Sequence, residues 1–241
     1  MNQAPALNIS SVKVCDIALH IPEAIEILNR HNLDYCCNGQ QSFLTACANA
    51  LVNPDKVWLE IIEAQTMPVN NHRMKFATWP TTFLIDFICE HHHNYVRTTI
   101  PRLRELLAKV HAVHNLENPE LTEVRAIFDA LADELLAHLP KEEMVLFPAI
   151  RSMIEHDALS ENNPAAFGLQ APLHVMEHEH ESAGDLIKSL RELTNNYTPP
   201  AGACPTYQAA YQLLKQFDED LIQHIHLENN ILFPKVKMNL Q

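Results

Sequence analysis

From about residue 80 onward, apolar residues recur at steps of three and four through four long stretches. They run from Thr78 or Trp79 towards His111, from about Leu121 to Glu155, from about Pro172 to Leu193, and from about Pro205 to Lys237. This is the period of helices that bury one face. Turn-forming residues interrupt the pattern at 114–120, 157–168 and 195–205. Connections of this length join antiparallel neighbours, so the pattern predicts an up-down-up-down four-helix bundle. Upstream the pattern is shorter. Ser11 to Asn32 reads as helix broken at Pro22, Ser42 to Ala50 as a second helix, and a third opens with Asn53 as cap and Pro54 in its first position. The stretch 66–79 has no period. The expected organisation is all-α: a small helical unit over 1–66, a linker over 67–79 and a bundle over 80–241.

A few polar residues fall inside the apolar stripes, and they carry the chemistry. His93 shares its line with Ile85, Cys89, Val96, Ile100, Leu103, Leu107 and Val110; His180 shares its line with Leu173, Met176, Ala183, Ile187 and Leu190. On the second helix Leu131, Leu135, His138, Glu142, Val145 and Ala149 form one stripe. On the fourth, Leu214, Phe217, Leu221, His224, Glu228 and Ile231 do the same. His91, His178 and His226 keep company with polar residues and are expected at the surface. The segment His138 to Pro148 recurs as His224 to Pro234, each copy keeping a His, a Glu four residues later and a Leu-Phe-Pro close. Glu90 to His93 and Glu177 to His180 echo one another more weakly, so the repeating unit is a helix pair.

A His and a Glu at i and i+4 share one helix face. A buried glutamate without a partner costs several kcal/mol or a raised pKa. Two of them, each one turn from an inward histidine, are accounted for by a shared metal centre. Imidazole and carboxylate together suit iron, manganese or zinc. With two glutamates bridging, two histidines remain for each ion, which leaves a position open to a small molecule. Pro140 lies between His138 and Glu142, where its ring and missing N–H are expected to kink the helix or open a π-bulge.

A formal net charge of −13 argues against nucleic acid as a partner. No run of 18 apolar residues predicts a membrane span, and Met1 to Ser10 shows no secretory pattern. Six cysteines without a secreted-scaffold spacing point to reduced thiols and a cytoplasmic location. Adjacent cysteines close only a strained ring, so Cys36 and Cys37 are better suited to binding a soft metal ion or exchanging with a partner than to pairing with each other.

Ferritin-like di-iron bundles space their ligands Glu-x-x-His; here the spacing is His-x-x-x-Glu. His93, His138 with Glu142, His180, His224 with Glu228, and the two Phe-Pro closes resemble a hemerythrin-like domain. Asp34-Tyr-Cys-Cys-Asn-Gly39 resembles the vicinal-cysteine motif of the short ScdA-type domain that precedes it in iron–sulphur cluster repair di-iron proteins, the RIC family. The segments 194–200 and 228–234 are similar to the same family. The resemblance implies a stress protein that repairs clusters damaged by nitric oxide or hydrogen peroxide, with damaged iron–sulphur proteins as clients. It implies a non-haem, carboxylate-bridged, oxo- or hydroxo-bridged di-iron centre on His93, His138, His180 and His224, with Glu142 and Glu228 as bridges. It also implies a proton or iron path through Glu134 and Glu179, and a thiol or iron-transfer role for Cys36 and Cys37. The chain is expected to act as a monomer or homodimer. The alternative function is a hemerythrin-like module that binds or senses oxygen or nitric oxide.

Overall fold

The computed structural model describes residues 8–66, 74–157 and 168–238. Residues 67–73, the first half of the expected linker, and 158–167, most of the second interruption, lie outside them. The described chain is helical, with one isolated antiparallel bridge between Lys13 and Ser42.

Four short helices come first: α1 (Val14–His20), α2 (Ala24–Arg30), α3 (Phe43–Asn49) and α4 (Pro54–Thr66). The expected Asn53 cap is in place, its Oδ1 accepting from the amides of Asp55 and Lys56 at 2.9 and 3.1 Å. Ser42 caps α3 as well, its Oγ accepting from the Thr45 amide at 3.2 Å. Val14, Ile17, Leu28, Phe43, Val57 and Ile61 are buried between these helices. In the second half of the expected linker, Phe76–Thr78 forms a single 3₁₀ turn whose Phe76 packs on Trp79 and Phe87.

The bundle follows as α5 (81–114), α6 (121–157), α7 (Gln170–Leu193) and α8 (205–238). Cross-helix pairs fix the directions. His93 meets Glu143 while Arg104 meets Asp129; His138 meets Glu179 while Glu134 meets Ser182; His180 meets Asn229 while Arg191 meets Asp218. In each case one number rises as the other falls, so neighbours are antiparallel and the topology is up-down-up-down.

Three of the four helices widen to a π turn at the same level: Ile88–His93, Glu142–Leu146 and Glu228–Leu232. In the last two, the amides of Phe147 and Phe233 bond the carbonyls of Glu142 and Glu228, five residues back. Pro148 and Pro234 come next in the chain and have no N–H to carry the ladder on. The π turn on α6 begins two residues after Pro140, which itself lies in regular helix. Its counterpart on α8 has His226 at the matching position, so Pro140 is not the cause. The turn also corrects the inward stripe. An unbroken α-helix brings Val145 and Ala149 inward; here Val145 is 61% exposed, and the face is taken one residue later by Leu146, Ile150 and Met153.

Tyr35 to Gly39 seat the first unit on α7 and α8. Asn230 Nδ2 donates to the Tyr35 carbonyl at 2.9 Å and Asn229 Nδ2 to that of Cys36 at 3.3 Å. Gly39 is obligatory, since a Cβ there would lie 2.3 Å from the Tyr35 carbonyl oxygen. His226 corrects the sequence reading: it is buried, beneath the edge of Tyr35 at 5.2 Å, with its Nδ1 facing Asn230 Nδ2 at 3.0 Å. Of its polar companions on α8, Asn229 and Asn230 bond the first unit, while Glu219 stays exposed.

On α7 the docking needs a residue without a side chain, because a Cβ on Gly184 would meet Cys37 Sγ at 3.0 Å. Gly184→Val is expected to lift the Cys37 loop and leave the bundle standing. An overpacking penalty of about 1–3 kcal/mol corresponds to about five- to 150-fold in the ratio of docked to undocked forms. Alkylation of Cys37 should quicken accordingly at an unchanged bundle melting temperature; an unaltered alkylation rate would refute this account of the contact.

Candidate metal centre

Two apolar cores lie along the bundle. One holds Leu103, Leu107, Phe128, Leu131 and Phe217; the other holds Leu84, Ile88, Phe147, Met153 and Phe233. Between them sit the six residues singled out by the sequence. His93, His138, His180 and His224 are at most 4% exposed, and Glu142 and Glu228 are fully buried. Each helix contributes one histidine, and the π-turn helices α6 and α8 add the glutamates.

The imidazoles pair by their inner nitrogens. His93 Nε2 lies 3.1 Å from His224 Nε2, and His180 Nε2 lies 3.2 Å from His138 Nε2. The carboxylates span both pairs. Glu142 Oε2 is 3.4 Å from His93 Nε2 and 3.3 Å from His138 Nε2; Glu228 is 3.2 Å from His224 Nε2 through Oε1 and 3.1 Å from His180 Nε2 through Oε2. The candidate ligand atoms thus form two overlapping groups, His93–His224 and His138–His180, which share both glutamates.

These residues fit a non-haem iron site. All four oxygens of Glu142 and Glu228 are buried without a hydrogen-bond donor, an arrangement that costs several kcal/mol unless a cation meets them. Imidazole nitrogens roughly 3 Å apart match neighbouring ligands at right angles around one ion with bonds of about 2.1 Å. In the metal-free chain the histidines themselves answer the charge. Burial opposes charging His93, but Cys89, Glu142 and Glu228 outweigh it and raise its pKa to about 10. For His138, burial is again outweighed by Glu142, Glu228 and Glu179, and the pKa rises to about 9. Burial and mutual repulsion work against ionising the two glutamates, yet the facing histidines hold both below the ordinary carboxylate value. Burial lowers the pKa of His224.

The outer nitrogens are held as well. His93 Nδ1 pairs with Glu143 Oε1 at 2.7 Å, and Glu143 also accepts from Arg97 at 2.7 Å. His138 Nδ1 pairs with Glu179 Oε2 at 2.7 Å, and Glu179 also pairs with Lys141. His180 Nδ1 pairs with Asn229 Oδ1 at 2.8 Å. Such partners fix the tautomer and orientation of a ligating imidazole. Glu143 and Asn229 escaped the periodicity argument, but the repeat carries their signal: each directly follows the inward glutamate of its copy.

Of the remaining candidates, Glu179 touches the centre through His138. Glu134, one turn before His138, is exposed, accepts from Ser182 Oγ at 3.0 Å and makes no contact with the six. Cys36 and Cys37 are free thiols 3.5 Å apart. Asp34 ties them down, its Oδ1 accepting from the amides of Cys36 and Cys37 at 3.0 and 2.9 Å. The hydrogen bond with Cys37, together with burial, pushes the Cys36 thiol well above its ordinary pKa. Cys37 Sγ donates to the backbone carbonyl of His180 at 3.3 Å. Both cysteines line a cleft of about 510 Å³ with Asp34, Glu181, Lys188 and Arg191.

Comparison with known proteins supports the same reading. Residues 85–236 match the family model described as Hemerythrin HHE cation binding domain, and residues 10–65 match a Domain of Unknown function (DUF542). The iron-sulfur cluster repair protein YtfE of Yersinia pseudotuberculosis serotype IB (strain PB1/+) is 36% identical over 220 residues, 91% of this chain and 93% of the relative. The iron-sulfur cluster repair protein YtfE of Yersinia pestis (strain Pestoides F) matches to the same extent. Among the described residues, no helix is long and apolar enough to cross a membrane.

Proposed function

Since this chain belongs to the family of iron–sulphur cluster repair proteins that join a short N-terminal domain to a hemerythrin-like bundle, we propose that it stores two non-haem irons and uses them to repair clusters damaged by oxidative or nitrosative stress. His93 and His224 would hold one iron and His138 and His180 the other, with Glu142 and Glu228 shared between them. When bound, the pair supplies iron for a damaged cluster and a position where nitric oxide or oxygen can bind. Four histidines leave more of the coordination open than a carrier needs.

The observation that favours repair over gas carriage is the hydrogen bond from Cys37 Sγ to the His180 carbonyl. It sets a reduced thiol pair against the helix turn that carries a ligand. In this reading Cys36 and Cys37 receive the outgoing metal at the cleft. Glu179, paired to His138 and 30% exposed, offers a polar step from the centre to solvent, and Glu134 a second step one turn along α6. The clients are damaged iron–sulphur proteins of the cytoplasm, met by a monomer or a homodimer.

Mixing the iron-loaded protein with a [4Fe–4S] enzyme inactivated by nitric oxide is expected to restore the enzyme's activity. Cys36→Ser/Cys37→Ser, still loaded, should lose most of that restoration. No restoration by the parent protein, together with reversible oxygen binding, would replace repair with the carrier reading.

A further inference from the structure

Three of the four inward imidazoles rest on a hydrogen bond at Nδ1. His224 does not: its Nδ1 is buried and has no partner. A second imidazole lies beside it instead. His92, fully buried, stacks on His224 with ring centroids 5.6 Å apart and planes within 5° of parallel. On its other edges His92 meets Phe87 and His91 at 5.5 and 4.8 Å, both nearly perpendicular to it. Its Nδ1 pairs at 2.9 Å with Asp220 Oδ1, one turn before His224 on α8, and Asp220 is 15% exposed. His92 thus has its plane fixed from three sides, and that plane lies against His224.

We propose that His92, anchored by Asp220, is a positioning residue that fixes the ring of His224 by stacking, and that the iron held by His93 and His224 is in consequence the more readily released of the two. This rests on the di-iron reading above. A carboxylate or amide at the outer nitrogen does two things for a ligating imidazole: it orients the ring and it makes the inner nitrogen a stronger donor. Stacking performs the first and not the second. The His138–His180 pair has both rings reinforced, by Glu179 and Asn229. The His93–His224 pair has one reinforced ring, on Glu143. An outer partner is worth about 10–100-fold in metal affinity, so the two positions differ by about one such factor. The iron on His93 and His224 is therefore the first to leave, and the one on His138 and His180, beside Cys37 and Glu179, follows it.

The test uses the full-length, ⁵⁷Fe-loaded protein. A chelator with a reductant should withdraw iron in two phases of equal amplitude, and Mössbauer spectra taken between them should show half of the absorption lost and the remainder arising from a single, uncoupled iron. His92→Leu fills the site without a plane and should quicken the fast phase about tenfold, leaving the slow phase alone. His92→Phe restores a flat ring and should return the fast phase towards the parent rate. Glu179→Gln should quicken only the slow phase. A parent with two irons that leave in one phase overturns this inference and leaves the di-iron reading standing. So does a folded His92→Leu protein whose two phases are both unchanged or both shifted alike, or a His92→Phe protein that behaves like His92→Leu. A parent that never holds two irons overturns the di-iron reading itself.

Discussion

Replacing Glu142 and Glu228 together by leucine is expected to give a folded bundle that binds no iron. Both side chains are fully buried, and none of their four oxygens receives a hydrogen bond. Their charge is useful when a cation, or a protonated His93 or His138, sits between them. Leucine is close to glutamate in volume and brings no charge. Exchanging a buried ionic cluster for apolar residues is commonly neutral or stabilising, by about 1–4 kcal/mol. Iron measured after reconstitution should fall from about two per chain to near zero. The thermal midpoint of the variant should equal or exceed that of the metal-free parent. Retention of both irons would remove the glutamates from the ligand set.

The metal-free chain is expected to lose stability on both sides of neutrality, through different histidines. On the alkaline side His93 and His138 have folded pKa values raised to about 10 and about 9, against 6.5. Their contribution is complete below pH 6.5 and is lost as pH rises through 9 to 10. Each is worth about 3 kcal/mol or more alone, and less than the sum together, because both draw on Glu142 and Glu228. Ligating imidazoles carry no extra proton, so iron loading should abolish this alkaline loss. On the acid side burial lowers the pKa of His226 to about 4. Its neutral form costs nothing above pH 6.5, and stability declines by about 3 kcal/mol as pH falls from 6.5 through 4. Urea midpoints followed from pH 4 to 10 test both arms. His226→Phe should flatten the acid arm only, and an acid arm unchanged in that variant would exclude His226 as its cause.

The sequence made the helices legible because their caps, prolines and apolar period are local signals. It also made the six central residues legible, since the tandem copy multiplied a weak motif and the stripes separated His93 and His180 from their neighbours. Misreadings arose where a non-local fact decided the outcome. His226 sits among polar residues on α8, and only the docking of Tyr35 shows that this face is covered. Val145 is inward on any unbroken helix, and a single π turn moves it out. His92, on which the stripes are silent, is buried together with His93 by the widened turn at 88–93.

The widened turns also bear on how such a centre can change over generations. Each π turn accommodates about one residue more than an α-helical turn. Elsewhere in these helices, losing one codon would swing every later side chain round by about 100° and unseat a core. Within 142–146 or 228–232 the loss is absorbed by tightening to an ordinary turn, with Leu131 and Leu135 still seated upstream and Ile150 and Met153 downstream. Mutation can therefore lengthen or shorten the ligand-bearing layer while both apolar cores keep their inherited packing. The chemistry of this bundle is free to drift in a way its scaffold is not.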